Sequence, residues 1–217
     1  MITKLAASAA VCAAALTAHA QVLLNTGFET GGDSAGDSAF WSEGAGGAPG
    51  TVSVRSNENP NSGDWHHRLI AVGAAGIGGS AGVTQNSAAN FPSLTPGTTI
   101  SLSFDAATDL GPGGVAFYAM RILNRNGTIV GETGLVGIGH SGGVYTTITS
   151  AELTVPDFGA DPNDFYSVFV ELVVNAGAFD GSIASMDVDN VRVTVIPAPA
   201  SAAMLGIAGI AAARRRR

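Results

Sequence analysis

The sequence predicts an all-β fold, a β-sandwich of the jelly-roll kind, and three observations carry that expectation. Apolar residues recur at every second position in short runs, the period of a strand with one buried face. Thirty glycines and nine prolines in 217 residues punctuate those runs. No long stretch with a 3.6-residue apolar period separates one run from the next, so helices do not alternate with the strands.

The clearest strand is residues 99–106. Ile100, Leu102, Phe104 and Ala106 alternate with Thr99, Ser101, Ser103 and Asp105, and Pro96-Gly97 supplies the turn that enters it. Residues 115–124 and 128–132 flank Asn126-Gly127, a pair favoured in tight hairpins because both central residues tolerate positive φ. Residues 165–174 are apolar on both faces, with Val168, Val170, Leu172 and Val174 against Phe169 and Val173, which places that strand in the middle of a packed sheet. Residues 51–55, 67–72, 144–150 and 185–195 complete about eight or nine short strands, the number a sandwich of this kind needs.

The two ends read differently from the body. Lys4, an Ala-rich apolar run over residues 5–16, and Ala18-His19-Ala20 before Gln21 have the order of a signal helix with cleavage between Ala20 and Gln21. Cys12, the single cysteine, lies inside that leader, so the exported chain has neither disulfides nor cysteine-bound zinc. At the other end Pro197 and Pro199 stop the last strand. The fourteen residues 200–213 would form an apolar helix about 21 Å long, short against roughly 30 Å of hydrocarbon. Arg214, Arg215, Arg216 and Arg217 would hold its end on the cytoplasmic side. The expected plan is a leader over 1–20, a β-sandwich over 21–195 and a tail over 196–217.

Setting leader and tail aside changes the electrostatics. Residues 21–195 keep five basic residues against all seventeen acidic ones, a net charge of −12. Such a surface does not neutralise phosphates, so nucleic acid is excluded as a partner.

The order of Pro197-Ala198-Pro199, apolar helix and four arginines resembles the PEP-CTERM sorting signal of bacterial envelope and exopolysaccharide-associated proteins, with Ala198 where that motif carries Glu. The resemblance implies a sorting helix with transient membrane association, an exosortase-like membrane peptidase as partner, and export to the envelope, cell surface or extracellular matrix. A second resemblance covers most of the body. Leu23-Leu24-Asn25-Thr26-Gly27-Phe28-Glu29 with Phe40-Trp41, then Ser62-Gly63…Leu69, then Leu94-Thr95-Pro96-Gly97-Thr98…Leu102-Ser103-Phe104-Asp105-Ala106, and finally Val188-Asp189-Asn190-Val191 follow the order of galactose-binding-like carbohydrate-binding modules. Ile100 stands where those modules usually carry Tyr. The resemblance implies a jelly-roll domain that binds polysaccharide and often a structural calcium, held where the opening Glu and the closing Asp meet; here these are Glu29 and Asp189.

The residues themselves bear on that site. By the two-residue period Asp187, Asp189, Val191, Val193 and Val195 share a face, and the valines belong to the core. Asp189 is therefore expected to point inward, where a carboxylate needs a cation or several hydrogen bonds, or where Asp189 and Asn190 end the strand by bonding the backbone. Calcium takes six to eight oxygens, so carbonyls would have to join Glu29 and Asp189. The aromatic candidates for stacking on sugar are Trp41, Trp65, Tyr118, Tyr145 and Tyr166. Trp65, in the polar segment of residues 59–68, is the expected ligand contact, with closure of one end of the core as its alternative role, and Trp41 is expected in the core.

Other patterns fail on their context. Gly137-Ile138-Gly139-His140-Ser141-Gly142 fits a phosphate-loop spacing but precedes a strand rather than a helix, and reads as a loop. His66 and His67 are adjacent, so on a strand they point to opposite faces and cannot share a metal. No nucleophile-elbow pattern accompanies the histidines. Asp157, Asp161 and Asp164 lack the rhythm of a calcium loop. The expected function is thus a non-catalytic, polysaccharide-binding surface protein; a purely structural or adhesive protein, and a glycan-cleaving enzyme with two facing carboxylates, are the alternatives.

Overall fold

A computed structural model describes residues 22–87, 94–157 and 166–196. The leader with Ala20 and Gln21, and the tail with Pro197, Ala198, Pro199 and Arg214 to Arg217, lie outside the described residues. Among the described residues, no helix is long and apolar enough to cross a membrane.

Two antiparallel sheets make a β-sandwich. The first runs β1 (Ser42–Gly47), β4 (Gly79–Asn86), β11 (Tyr166–Ala176) and β6 (Gly114–Asn124), with β7 (Ile129–Glu132) and β8 (Val136–Ile138) both pairing with β6. The second runs β2 (Val52–Ser56), β3 (His66–Val72), β12 (Ile183–Ile196) and β5 (Thr99–Leu110), with β9 (Thr146–Thr149) and β10 (Leu153–Thr154) both pairing with β5. The alternation in 99–106 is realised: Ile100, Leu102, Phe104 and Ala106 are buried. They face Tyr118, Met120 and Ile122 of β6 and Val168, Val170, Leu172 and Val174 of β11 in one core. Phe104 meets Tyr118 edge to face across the two sheets, ring centroids 5.5 Å apart, the favoured aromatic geometry. Strand β11 lies in the interior of its sheet, as its two apolar faces predicted.

Three local expectations are corrected. Of Asn126-Gly127 only Gly127 takes a positive φ, 76°; its N–H donates to the Asn124 carbonyl, and Asn124 Oδ1 accepts from the N–H groups of Asn126 and Thr128. The hairpin therefore turns through Asn124–Gly127 and absorbs a register shift between Ile122 and Leu123. Gly137 and Ile138 belong to β8 rather than to a loop. The third correction is a β-bulge in β12: Asp189 pairs with Asp105 but Arg192 pairs with Ser103, one extra residue on the β12 side. Asn190 takes φ 53° there, and the inward parity switches from Ala184, Met186 and Val188 before the bulge to Val191 and Val193 after it. Asp189 therefore shares the outer face with Asp105.

Candidate functional site

Asp189 is fully buried on that outer face because a loop closes over it. Its Oδ2 accepts the Ser62 N–H at 2.8 Å and the Ser62 hydroxyl at 3.2 Å, and its Oδ1 accepts the Asn190 N–H at 2.7 Å. The Val191 N–H donates to the Thr26 carbonyl and ties the N-terminal segment alongside. That segment carries Glu29, whose carboxylate accepts N–H bonds from Asp64 and Trp65. Glu29 and Asp189 adjoin: a methyl group built on Gly27 would lie 3.6 Å from Asp189 Oδ1 and 4.0 Å from Glu29 Oε1. Burial above all, and the charge of Glu29, raise the Asp189 pKa against the hydrogen bonds that lower it. Beside it Asp105 accepts from Asn61, Asn190 and Thr147; these bonds outweigh burial and lower its pKa. Among the described residues no three His, Cys, Asp or Glu side chains converge as a metal site.

Trp65 is half-buried at the edge of this network. The Arg55 guanidinium carbon lies 3.6 Å from its ring centroid, and the same guanidinium donates to the Phe28 and Glu29 carbonyls at 2.6 and 2.5 Å. One face of the indole is thus covered by a cation. Trp41, Tyr118 and Tyr166 are buried in the core, with Trp41 5.0 Å from Phe28 between ring centroids, which leaves Trp65 and Tyr145 of the five aromatic candidates.

Tyr145 precedes β9 on the outer face of the second sheet. Burial and the nearby Asp187 and Asp189 carboxylates push its hydroxyl well up. Across the same face Arg68 grips Asp187 through Nε at 2.8 Å and Nη2 at 3.3 Å while bonding Glu58. His66 Nε2 lies 3.3 Å from the same carboxylate. Burial raises the Asp187 pKa, but the His66 and Arg68 contacts overcome it and the net shift is downward. His66 and His67 point to opposite faces as expected: His67 sits in the core between Ser38 Oγ at 3.0 Å and Ser53 Oγ at 2.9 Å.

The outer face of the first sheet carries a different feature, which one-dimensional reading missed. The registers align Gly137, Phe117, Val173, Gly82 and Gly44 in one row across β8, β6, β11, β4 and β1. Glycine at three of five positions leaves both ends of the row bare, a furrow interrupted in the middle by the half-buried side chains of Phe117 and Val173. The row Ala119, Glu171, Thr84 and Ser42 flanks it on one side, and Val115, Asn175, Ser80 and Gly46 on the other. Neither Gly44 nor Gly137 has a positive φ, and a side chain at either would meet nothing within 4 Å. Backbone geometry and packing therefore do not explain glycine there, and a glycine in a strand interior leaves room for close approach to the backbone. Arg121 pairs with Glu171 at 2.7 Å and with Glu132 at 3.5 Å at one end of the wall.

No protein-family model matches the sequence, and no curated protein matches it. Solved structures share its fold. The enzymatically active domain of tailspike protein 4 of bacteriophage CBA120 is 19% identical with a TM-score of 0.55, over 81% of this chain and 21% of the tailspike chain; the chain thus spans about a fifth of that protein's length. The apo form of a cyclase from Fischerella sp. is 18% identical with a TM-score of 0.52, over 81% of this chain and 95% of the cyclase. The CBM22-1 xylan-binding domain of Xyn10C from Paenibacillus barcinonensis is 11% identical with a TM-score of 0.48, over 84% of this chain and 98% of that domain. For the tailspike domain and the cyclase the likeness at these identities is one of fold, and fold does not set function.

Proposed function

We propose that the domain binds an extended polysaccharide along the furrow of the first sheet. The row Gly44, Gly82, Val173, Phe117 and Gly137 supports it above all, since it crosses the sheet from edge to edge and its glycines leave the backbone bare on either side of Phe117 and Val173. A polymer can enter such a furrow at any point along its length. Phe117 offers a ring face for the C–H side of one sugar, and Glu171, Thr84 and Asn175 offer acceptors and donors for its hydroxyls. The carboxylate of the flanking row, Glu171, is engaged by Arg121, which supports a binding role over glycoside hydrolysis, whose acid must be free to protonate the leaving group. With its leader and tail it is an exported protein of the envelope or extracellular matrix, sorted by an exosortase-like peptidase and bound to extracellular polysaccharide.

Calcium belongs to this proposal at Glu29 and Asp189. The mutual repulsion of these adjoining carboxylates is what a cation would relieve, and main-chain carbonyls would complete its six to eight oxygens. The metal would hold the N-terminal segment against the last strand and leave the furrow unchanged.

The test is a glycan array followed by affinity electrophoresis of the full chain. Phe117→Ala, on the outer face, is expected to weaken retention about tenfold, the worth of one stacked ring. If no glycan is retained, or Phe117→Ala matches wild type, the furrow is not a glycan site.

A further inference from the structure

At the β8 end of the furrow the sandwich opens sideways. Strand β8 forms one lip and β9 the other, and between them lies a pocket of about 620 Å³, within the roughly 300 to 1,000 Å³ of small-molecule sites. Gly137, the last residue of the furrow, also lines this pocket, so a chain leaving the furrow over β8 turns directly into it. Much of the lining is apolar: Ile138 and Ile148 line it from the two sheets, Val144 stands 64% exposed at the rim, and Gly139 leaves the near side open. Of the polar side chains that also line it, Ser141 donates its hydroxyl to the Val144 carbonyl and Thr146 its hydroxyl to the Ala106 carbonyl, which leaves the His140 ring as the directional polar group. The Leu110 N–H donates to His140 Nδ1 at 3.0 Å, so in the neutral ring Nδ1 is the acceptor and Nε2 carries the hydrogen.

We propose, building on the furrow as the glycan site, that this pocket selects a chain carrying N-acetylated hexosamine and holds one such unit. A plain hexose turned toward Ile138 and Ile148 would leave hydroxyls without partners, a costly arrangement. An acetamido group matches the pocket at both ends. Its methyl packs on the isoleucines, and its carbonyl accepts from His140 Nε2–H. The remaining hydroxyls stay in water at the open mouth.

The experiment compares two neutral hexamers on the full chain by titration calorimetry: the β-1,4-linked N-acetylglucosamine hexamer and cellohexaose. The deacetylated hexamer is a poor control, because its positive charge would be drawn to this acidic protein whatever the pocket does. The acetylated hexamer is expected to bind at least tenfold more tightly. Gly139→Leu fills the pocket without a clash, since a side chain there meets nothing within 4 Å and φ is not positive; it should erase the preference while leaving cellohexaose affinity unchanged. Val144→Ser, at an exposed rim position, should reduce the preference without altering the melting temperature. Equal affinity for the two hexamers, or a preference that survives Gly139→Leu, overturns the pocket while the furrow stands. Binding of neither hexamer, with no response to Phe117→Ala on the array, overturns the furrow and the pocket together.

Discussion

Asn190 donates from its side-chain amide to Asp105 Oδ2 at 2.9 Å while its own backbone forms the left-handed bulge that turns Asp189 to the outer face. One residue thus supplies both the kink and a bond that satisfies a neighbouring buried carboxylate. Ser62 also donates to its side-chain oxygen. Asn190→Ala removes these bonds and puts an alanine at φ 53°, so a loss of about 2 to 4 kcal/mol is expected. Asn190→Gly keeps the φ and should cost about half as much. Urea unfolding of the two variants beside wild type checks the order; equal losses would show that the backbone conformation is unimportant.

Trp65→Ala is expected to act on stability rather than on binding. Arg55 stacks on one face of the indole and reaches back to the Phe28 and Glu29 carbonyls, so the ring fixes an arginine that clamps the N-terminal segment. Loss of the stack is worth about 1 kcal/mol. The residue leads into β3 of the second sheet, away from the furrow, and glycan retention should be unchanged. Weaker retention with an unchanged unfolding midpoint would identify Trp65 as a sugar platform.

Much of this architecture is legible in the chain. The two-residue period of 99–106 and the double apolar face of 165–174 locate interior strands of the two sheets, because core burial writes itself as alternation within a strand. Strands β1 and β4 escape that logic: Ser42–Gly47 holds three glycines and Gly79–Asn86 two, and a strand poor in side chains has no pattern to read. The bulge at Asn190 defeats the period for the opposite reason, as one inserted residue reverses parity in mid-strand. The furrow is invisible in one dimension, since Gly44, Gly82, Val173, Phe117 and Gly137 become neighbours only through register. Glycines at 44 and 137 that neither φ nor packing demands are the signal, and it exists only once the backbone is known.

Stability should fall in mild acid through His67. Burial first, and then the adjacent His66, lower its pKa from 6.5 to about 3. The folded state keeps the ring neutral while the unfolded chain takes up a proton below 6.5, so this contribution is complete above pH 6.5 and is lost as pH falls towards 3. The slope is at most about 1.4 kcal/mol per pH unit. Asp105 and Asp187, with lowered values, add a loss of the same sign at lower pH. Asp189 and Glu43, with raised values, oppose it by binding protons in the folded state. Urea unfolding between pH 7 and 5 should therefore show a falling free energy in wild type and a flatter profile in His67→Gln. An identical slope in the variant would remove His67 as the cause.

Calcium, if held by Glu29 and Asp189, stabilises by mass action alone. Extracellular modules bind it at roughly 0.1 to 1 mM, and an excess of a hundredfold over the dissociation constant adds about 2.7 kcal/mol. That corresponds to a rise of about 5 to 10 °C in melting temperature for a domain of this size. The rise is expected in wild type, reversed by chelator, and absent in Glu29→Gln and Asp189→Asn. A melting temperature indifferent to calcium and chelator would leave the loop N–H groups, rather than a cation, as all that satisfies these carboxylates.

Gly44→Leu separates the furrow from the fold most cleanly. Gly44 pairs with Gly82 on the outer face of β1, has no positive φ, and would place its new side chain where nothing stands within 4 Å. Leucine suits a strand better than glycine does, because it orders the backbone at lower entropic cost, so the variant should unfold at the same urea concentration as wild type or slightly higher, by up to about 1 kcal/mol. Its side chain stands in the furrow, and glycan affinity should drop about tenfold or more. Gly82→Leu is the contrasting case: a Cβ there already lies 3.3 Å from the Leu172 carbonyl and 3.5 Å from Val173 Cγ2, so it should lose both stability and binding. A Gly44→Leu protein that is stable and still binds fully would show that the polymer does not run the length of the row, and would confine contact to the Phe117 end.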